Sequence, residues 1–274
     1  MTGHPMARVC GALRISRSTA YRASSGRPLF YRRQDDAKVL AQIRSVTRKR
    51  ATYGHRRVTV LVNRACETRY NRKRIRRVMR MNGLQLPPNR RRRNGRPHTG
   101  RVATERSDVR WCSDILEIPC WSGETVQVAF VLDCHDRDAI AWVGRDRDLS
   151  GEEIRHMMTE AVHIRFPEEG KAPKPIQFLS DNGGQYTALD TVIRAEELGL
   201  VPITTPAASP ESNGMSEAFV NTIKRDYADL ADRSSAAALL AQLPIWFDDY
   251  NHEAPHSALG MKTPAEYRRE KNLS

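Results

Sequence analysis

Apolar positions in the first third of the chain recur at helical spacing. In "QDDAKVLAQIRSV" (34–46), Val39, Leu40, Ile43 and Val46 form one stripe behind two aspartates, which predicts a helix. "NRKRIRRVMRMNGL" (71–84) repeats the pattern with Ile75, Val78 and Met79, an Asn71 able to cap and a Gly83 able to stop it. Between them, "YGHRRVTVLVNRA" (53–65) fits a helix through Val58, Leu61, Val62 and Ala65, or a strand through its β-branched residues. Ahead of these, "ARVCGALRISRSTAYRASSG" (7–26) reads as two short helices meeting near Ile15–Ser16, with Ser16 or Ser18 opening the second. Its length fits a small helix-turn-helix.

From residue 109 the pattern changes. "VRWCSDILEI" (109–118), "ETVQVAFVLDC" (124–134) and "DAIAWVG" (138–144) are strand-like and joined by short turns. "SGEEIRHMMTEAVHIRF" (150–166) is a helix capped by Ser150. A buried strand in "KPIQFLS", a helix in "ALDTVIRAEELGL", a strand in "LVPITT" and a helix opened by Ser209 and Pro210 follow. The "AEYRRE" end reads as a solvated helix. The fold class is therefore α/β, a mixed sheet with helices on its faces, preceded by a mainly helical region. "PPNRRRRNGRPHTGRVATERS" (87–107) has no periodicity and reads as an exposed basic linker. The expected organisation is a helix-turn-helix-like segment at 1–26, a basic helical unit at 30–86, the linker at 87–107 and an α/β domain at 108–274.

Charge divides at the same place. Residues 1–110 carry 30 Lys and Arg against 5 Asp and Glu, and residues 111–274 carry 15 against 27. Of the 30 bases 27 are Arg, the residue suited to paired contacts with phosphate, so the first half is expected to grip DNA in a salt-dependent way. Arg72, Lys73, Arg76 and Arg77 on the predicted helix, and Arg91, Arg92 and Arg93 in the linker, are the candidate contacts. The five cysteines are odd in number with no C-x-x-C pair, which predicts free thiols. The irregular spacing of Cys112, Cys120, Cys134 and His135 speaks against a metal cluster. No apolar run approaches the ~18 residues of a membrane span, and the first residues lack a signal-peptide core, so a cytoplasmic protein is expected.

Three carboxylates draw attention in the acidic half. Asp114 interrupts the first strand, and Asp181 ends "IQFLS", where α/β sheets open their functional crevice. Glu217 shares a helix face with Asn221 and Lys224, about a quarter-turn from the apolar Phe219, Val220, Ile223 and Tyr227. Acids converging from two strands and a helix repel unless cations lie between them, and hard oxygen ligands select Mg²⁺ or Mn²⁺. Two such ions about 4 Å apart activate an attacking oxygen and stabilise a leaving one at phosphorus. The residues alone equally allow three unrelated surface acids among the 27 of this half, and with them a DNA-binding protein without catalysis.

Asp114, Asp181 and Glu217 have 66 and 35 residues between them. With "WCSD", "SDNGGQYT", "SPESNGMSEAFVNTIKRDY" and "DYNHEAPHSALGMKTPAEY", the chain resembles the DDE transposases and retroviral integrases, in particular the B-frame transposases of bacterial insertion sequences. "YGHRR…YNRKRIRRVMRMNGL" is similar to that family's helix-turn-helix region, which favours a helix at 53–65. The resemblance implies an RNase H-like fold and a catalytic and metal-binding triad of Asp114, Asp181 and Glu217 holding two Mg²⁺ or Mn²⁺ ions. It further implies cleavage at the ends of a mobile element, with transfer of the 3′-OH ends to another DNA strand. Lys224, Asn221 and Asn182 are then DNA contacts near the site, and Asp133 and Arg137 match a structural D-x-x-x-R feature. A homo-oligomer in the synaptic complex, an upstream A-frame protein as partner or fusion, and a place at the nucleoid follow from the same resemblance. His55 stands where the family usually has Tyr, and Glu253–Ala254 where a basic pair is commoner.

Overall fold

A computed structural model describes residues 5–24, 34–66, 69–87, 104–204 and 214–272. Two short helices, α1 (Met6–Ala12) and α2 (Arg17–Ser24), come first. Ser16 caps the second, its Oγ accepting the Thr19 N–H at 3.1 Å.

Three helices then pack around one small core: α3 (Asp36–Lys49), α4 (His55–Ala65) and α5 (Arg72–Met81). The core holds Val39, Ile43, Tyr53, Val58, Val62, Ile75, Val78 and Met79. Residues 55–65 are helical because Val58 and Val62, four apart, both reach that core, and packing overrides the β-branched preference. Asn71 accepts the Lys73 N–H at 2.8 Å to open α5, and Gly83 ends it at φ +67°, a conformation costly for any residue with a Cβ. Arg77, expected on the DNA-facing side, instead turns inward. It is buried and bonds to Asp36, tying α5 to α3 beside Arg74, whose Nε donates to the same carboxylate at 3.0 Å.

The sheet contains β1 (Arg110–Pro119), β2 (Thr125–Asp133), β3 (Ala139–Arg145), β4 (Ile176–Ser180) and β5 (Leu200–Thr204), in the order β3-β2-β1-β4-β5. The first three run antiparallel as a meander, while β4 and β5 join parallel to β1. This is the RNase H-like arrangement. One face is covered by α6 (Gly151–Arg165), α7 (Gly184–Thr187) and α8 (Leu189–Glu197), packed on Trp111, Ala129, Val131 and Phe178. Ser150 and Glu153 close a reciprocal capping box at the start of α6. The other face carries α9 (Gly214–Asp226), α10 (Ala236–Leu240) and α11 (Leu243–His252) over Cys112, Leu116, Ile118 and Phe130. The helix start expected at Ser209–Pro210 lies outside the described residues. No helix among the described residues is long and apolar enough to cross a membrane.

The turn from β2 to β3 is built on Asp133. Its buried carboxylate accepts the backbone N–H groups of Asp108, His135 and Asp136, and burial together with Asp136 pushes its pKa up to about 7. The last helix, α12 (Pro264–Asn272), is not a solvated tail. Tyr267 packs on the His135 ring at 5.6 Å, and Arg268 reaches Asp108 and Asp138.

The helical unit docks directly onto this domain. Arg50 pairs with Asp249, which also accepts the Tyr227 hydroxyl at 2.8 Å. Thr52 and Arg57 both donate to Asp226, each at 2.6 Å. The Tyr53 ring lies under both arginines, at 5.5 Å from Arg50 and 4.6 Å from Arg57. Burial works against ionised Asp226, yet bonds from Arg225 and Thr52 and the charge of Arg57 hold its carboxyl below the usual range. Asp249→Ala removes the shared acceptor of Arg50 and Tyr227 and is expected to cost about 2–3 kcal/mol, measured as a lowered urea midpoint.

Candidate active site

On β1 the side chains alternate. Trp111 and Ile115 face α6, whereas Cys112, Leu116 and Ile118 face α9–α11. Asp114 belongs to the second set and is the one acid in it. The parallel register sets Cys112 beside Leu179, so two residues further on Asp114 lies alongside Asp181, at the end of β4. Neighbouring strands are about 4.8 Å apart, which makes these two carboxylates close neighbours.

Glu217 approaches from above. Asp114 is paired across the ladder with Phe130, and the ring of Phe219 sits 4.3 Å from that of Phe130. Phe219 also meets Tyr250 edge-on at 4.8 Å, so α9 is anchored by an aromatic cluster two residues past Glu217. Glu217, Asn221 and Lys224 are all exposed along the helix's outer side, while Ser216, Phe219 and Ile223 are buried.

The turn after β4 has a steric requirement. Asp181 Oδ1 accepts the Gly183 N–H at 3.0 Å. A Cβ on Gly183 would lie 3.0 Å from that same oxygen and 3.2 Å from Gln185 Oε1, whereas one on Gly184 meets nothing within 4 Å. Gly183 is thus needed for close approach, at an ordinary φ of −60°. On the opposite face of β1, Ser113 and Tyr186 share a hydrogen bond of 2.7 Å and tie the Asp114 strand to this turn. The Tyr186 hydroxyl is pushed well above its usual pKa by burial. Neither Ser113 nor Tyr186 stands out by its chemistry in the sequence, although Ser113 is part of "WCSD" and Tyr186 of "SDNGGQYT".

Electrostatics records the convergence. Asp114, half-buried, has its carboxyl pKa raised by burial and by the negative charges of Asp181 and Glu217, while Lys224 and the Ile115 N–H, at 2.8 Å from Oδ1, oppose the rise. The donors are all hard oxygens, the set that suits a small divalent cation. No three His, Cys, Asp or Glu side chains among the described residues close around one point. A cation between the carboxylates would relieve the repulsion that Asp114 experiences.

The other candidates are dispersed. Asn182 is exposed in the turn after Asp181. Arg72, Lys73 and Arg76 are exposed on α5, and the charges of Arg76 and Arg72, after burial, depress the pKa of nearby His55. Arg91, Arg92 and Arg93 lie outside the described residues. The cysteines are free thiols; His135 is held through Nδ1 to the Thr104 carbonyl at 2.8 Å.

Asp114 is expected to lower stability when charged. Because its folded pKa is raised, the stability associated with the protonated form is complete below the unfolded value of about 4 and lost as pH rises through the folded value. Asp114→Asn should therefore have a higher Tm than the parent at neutral pH without divalent cations, with the difference closing as pH falls toward 4. Thermal melts across that range check it.

Comparison with known proteins follows the same lines. The family described as "Integrase core domain" matches residues 104–210 and again 198–264, and an "HTH-like domain" matches 33–93. Transposase InsD of the insertion element IS2 from Escherichia coli is 41% identical over 250 residues, 88% of this chain and 81% of that one. An uncharacterized protein of insertion element IS136 from Agrobacterium tumefaciens is 48% identical over 182 residues, 66% of this chain and 93% of that one. Among solved structures, the simian T-cell lymphotropic virus intasome aligns over 84% of this chain and 74% of that one with a TM-score of 0.49 at 15% identity. The integrase core of bovine immunodeficiency virus (BIV) covers 59% and 95%, with a TM-score of 0.39 at 16% identity. The match to InsD across most of both chains carries the assignment: the protein belongs to the insertion-element transposases, DNA transposases of the DDE polynucleotidyl transferase class with an integrase-type core.

Proposed function

We propose that Asp114, Asp181 and Glu217 are the catalytic and metal-holding residues of this transposase, and that they take two Mg²⁺ or Mn²⁺ ions. What supports the reading most is the register that sets Asp114 level with Asp181 on adjacent strands, beneath the helix that Phe219 anchors beside Glu217. Divalent cations bound there supply Lewis-acid stabilisation of charge at phosphorus and a more acidic attacking oxygen. The reaction has two steps: hydrolysis of a phosphodiester, which leaves a 3′-OH and a 5′-phosphate, then attack of that hydroxyl on a phosphorus of a second strand, forming a new phosphodiester as the target's own 3′-oxygen leaves. The chain's own groups position the strand for both. Asn221 and Lys224, about one and two turns beyond Glu217, would hold phosphate oxygens beside the reacting one, and Asn182 would do so from the Asp181 turn.

Duplex binding in this reading belongs to residues 30–86, through Arg72, Lys73 and Arg76, continued by Arg91, Arg92 and Arg93 in the linker at 87–107. Arg77 is left to its structural pairing with Asp36. Residues 108–274 carry the chemistry. Two element ends must be brought together, so the working form is a homo-oligomer on DNA, at the nucleoid in the cytoplasm, with an upstream A-frame protein as partner or fusion.

Labelled duplexes carrying the DNA that flanks the gene, incubated with Mg²⁺, test the assignment. Asp181→Asn and Glu217→Gln are each expected to lose at least about a hundredfold in strand cleavage while binding the duplex as before. Retained cleavage in both removes these residues from the site. In the same assay Gly183→Ala should cost about ten- to a hundredfold by displacing the Asp181 carboxylate, and Gly184→Ala should be near neutral.

A further inference from the structure

A cavity of about 330 Å³ opens on the flank of α9, the helix that carries Glu217. Arg57, Arg137 and Arg225 line it together with Asn221, Thr222 and Ser257, and no acidic residue does. Arg57 and Arg225 share Asp226 as a partner, with contacts of 2.6 Å each, which leaves part of each five-donor guanidinium for another acceptor. Arg137 makes no ion pair among the described residues. Its backbone sits at φ +61°, a conformation that disfavours a side chain and is kept here by the turn that Asp133 organises. Three guanidinium groups against one carboxylate leave the cavity positive. Its polar lining of Arg, Asn, Thr and Ser matches the oxygens of a phosphate.

We propose that this cavity seats a backbone phosphate of the DNA strand lying on α9, a short way from the bond being cut, and that Arg137 is its principal contact. Asn221 belongs both to the cavity and to the Glu217–Lys224 face, so one strand can pass over the carboxylates and enter the cavity. At 1.5 Å per residue, Glu217 and Asn221 are about 6 Å apart along the axis. Arg57 comes from α4 of the helical unit, whereas Arg137 and Arg225 come from the catalytic domain. The seated phosphate is therefore held by both units at once. His256 adds no charge: burial, followed by the fields of Arg57 and Arg137, holds its pKa down to about 4 although the Tyr250 backbone carbonyl accepts a hydrogen bond from its Nε2. The proposal rests on Glu217 marking the active face.

The test measures binding of the full chain to flanking-end duplexes in EDTA, so that it does not depend on catalysis. Neutral methylphosphonate linkages are placed one at a time near the end. The parent protein is expected to lose about tenfold in affinity at one linkage. Arg137→Gln should bind the unmodified duplex about tenfold more weakly, with a salt slope reduced by about one, and should be indifferent to that linkage. Arg225→Gln, at an exposed position, should show the same pattern more weakly, and thermal melts check that both variants are folded. If either folded variant keeps the parent's full penalty at that linkage, the proposal fails. It fails too if Arg137→Gln binds like the parent, or if inorganic phosphate raises the Tm of the parent but not of Arg137→Gln while no DNA linkage matters, which would make the cavity a site for free anions. Separate loss of cleavage in Glu217→Gln, with these binding results unchanged, leaves the cavity assigned and tests the active face alone.

Discussion

A carboxylate on the apolar face of a central strand is the constraint around which this molecule is arranged. Asp114 takes a position that Cys112, Leu116 and Ile118 devote to packing, and it is accompanied there by two more acids. Burial and the like charges of Asp181 and Glu217 both oppose ionisation of Asp114. Several neutral contacts hold the arrangement in place. The Phe130–Phe219–Tyr250 cluster fixes α9 on one face, and the Ser113–Tyr186 bond fixes the Asp181 turn on the other. The scaffold resists repulsion with aromatic packing and hydrogen bonds, to which Lys224 adds an opposing charge.

The second organising feature is the junction between the two units. Asp226 ends the helix that carries Glu217 and is held by Thr52 and Arg57 of the helical unit. The helical unit is thereby mechanically connected, through one helix, to Glu217. A short path of this kind gives orientation without needing a long-range conformational change.

Much of this was legible in the chain, and the rest had physical reasons for being hidden. The three-strand meander, the capped α6 and the Asn71 cap follow from local patterns that packing reinforces. Asp114 is readable as a polar interruption of a strand, and Asp181 as an acid at a strand end. Residues 53–65 could not be settled locally, since four β-branched or aliphatic positions serve either period until a core selects one. Arg77 misled because an arginine among six bases looks solvated; only the tertiary position of Asp36, 41 residues earlier, turns it inward. The docking of Arg50 on Asp249 spans 199 residues, and no periodicity registers such a pair. The terminal helix was misread for the same reason, its Tyr267 and Arg268 meeting partners more than a hundred residues away.

The Tyr53 junction also bears on how the protein can be divided. A fragment cut at the basic linker, holding the catalytic domain alone, would expose Asp226, Asp249 and Tyr227 on one patch after losing Arg50, Thr52 and Arg57. The complementary fragment would expose the Tyr53 ring and two arginines. Each piece would carry half of a charged, aromatic surface made for the other, prone to self-association and to a loosened α9 terminus. For truncation or for grafting another unit onto this core, the natural cut therefore lies before α3, so that both sides of the junction stay in one piece.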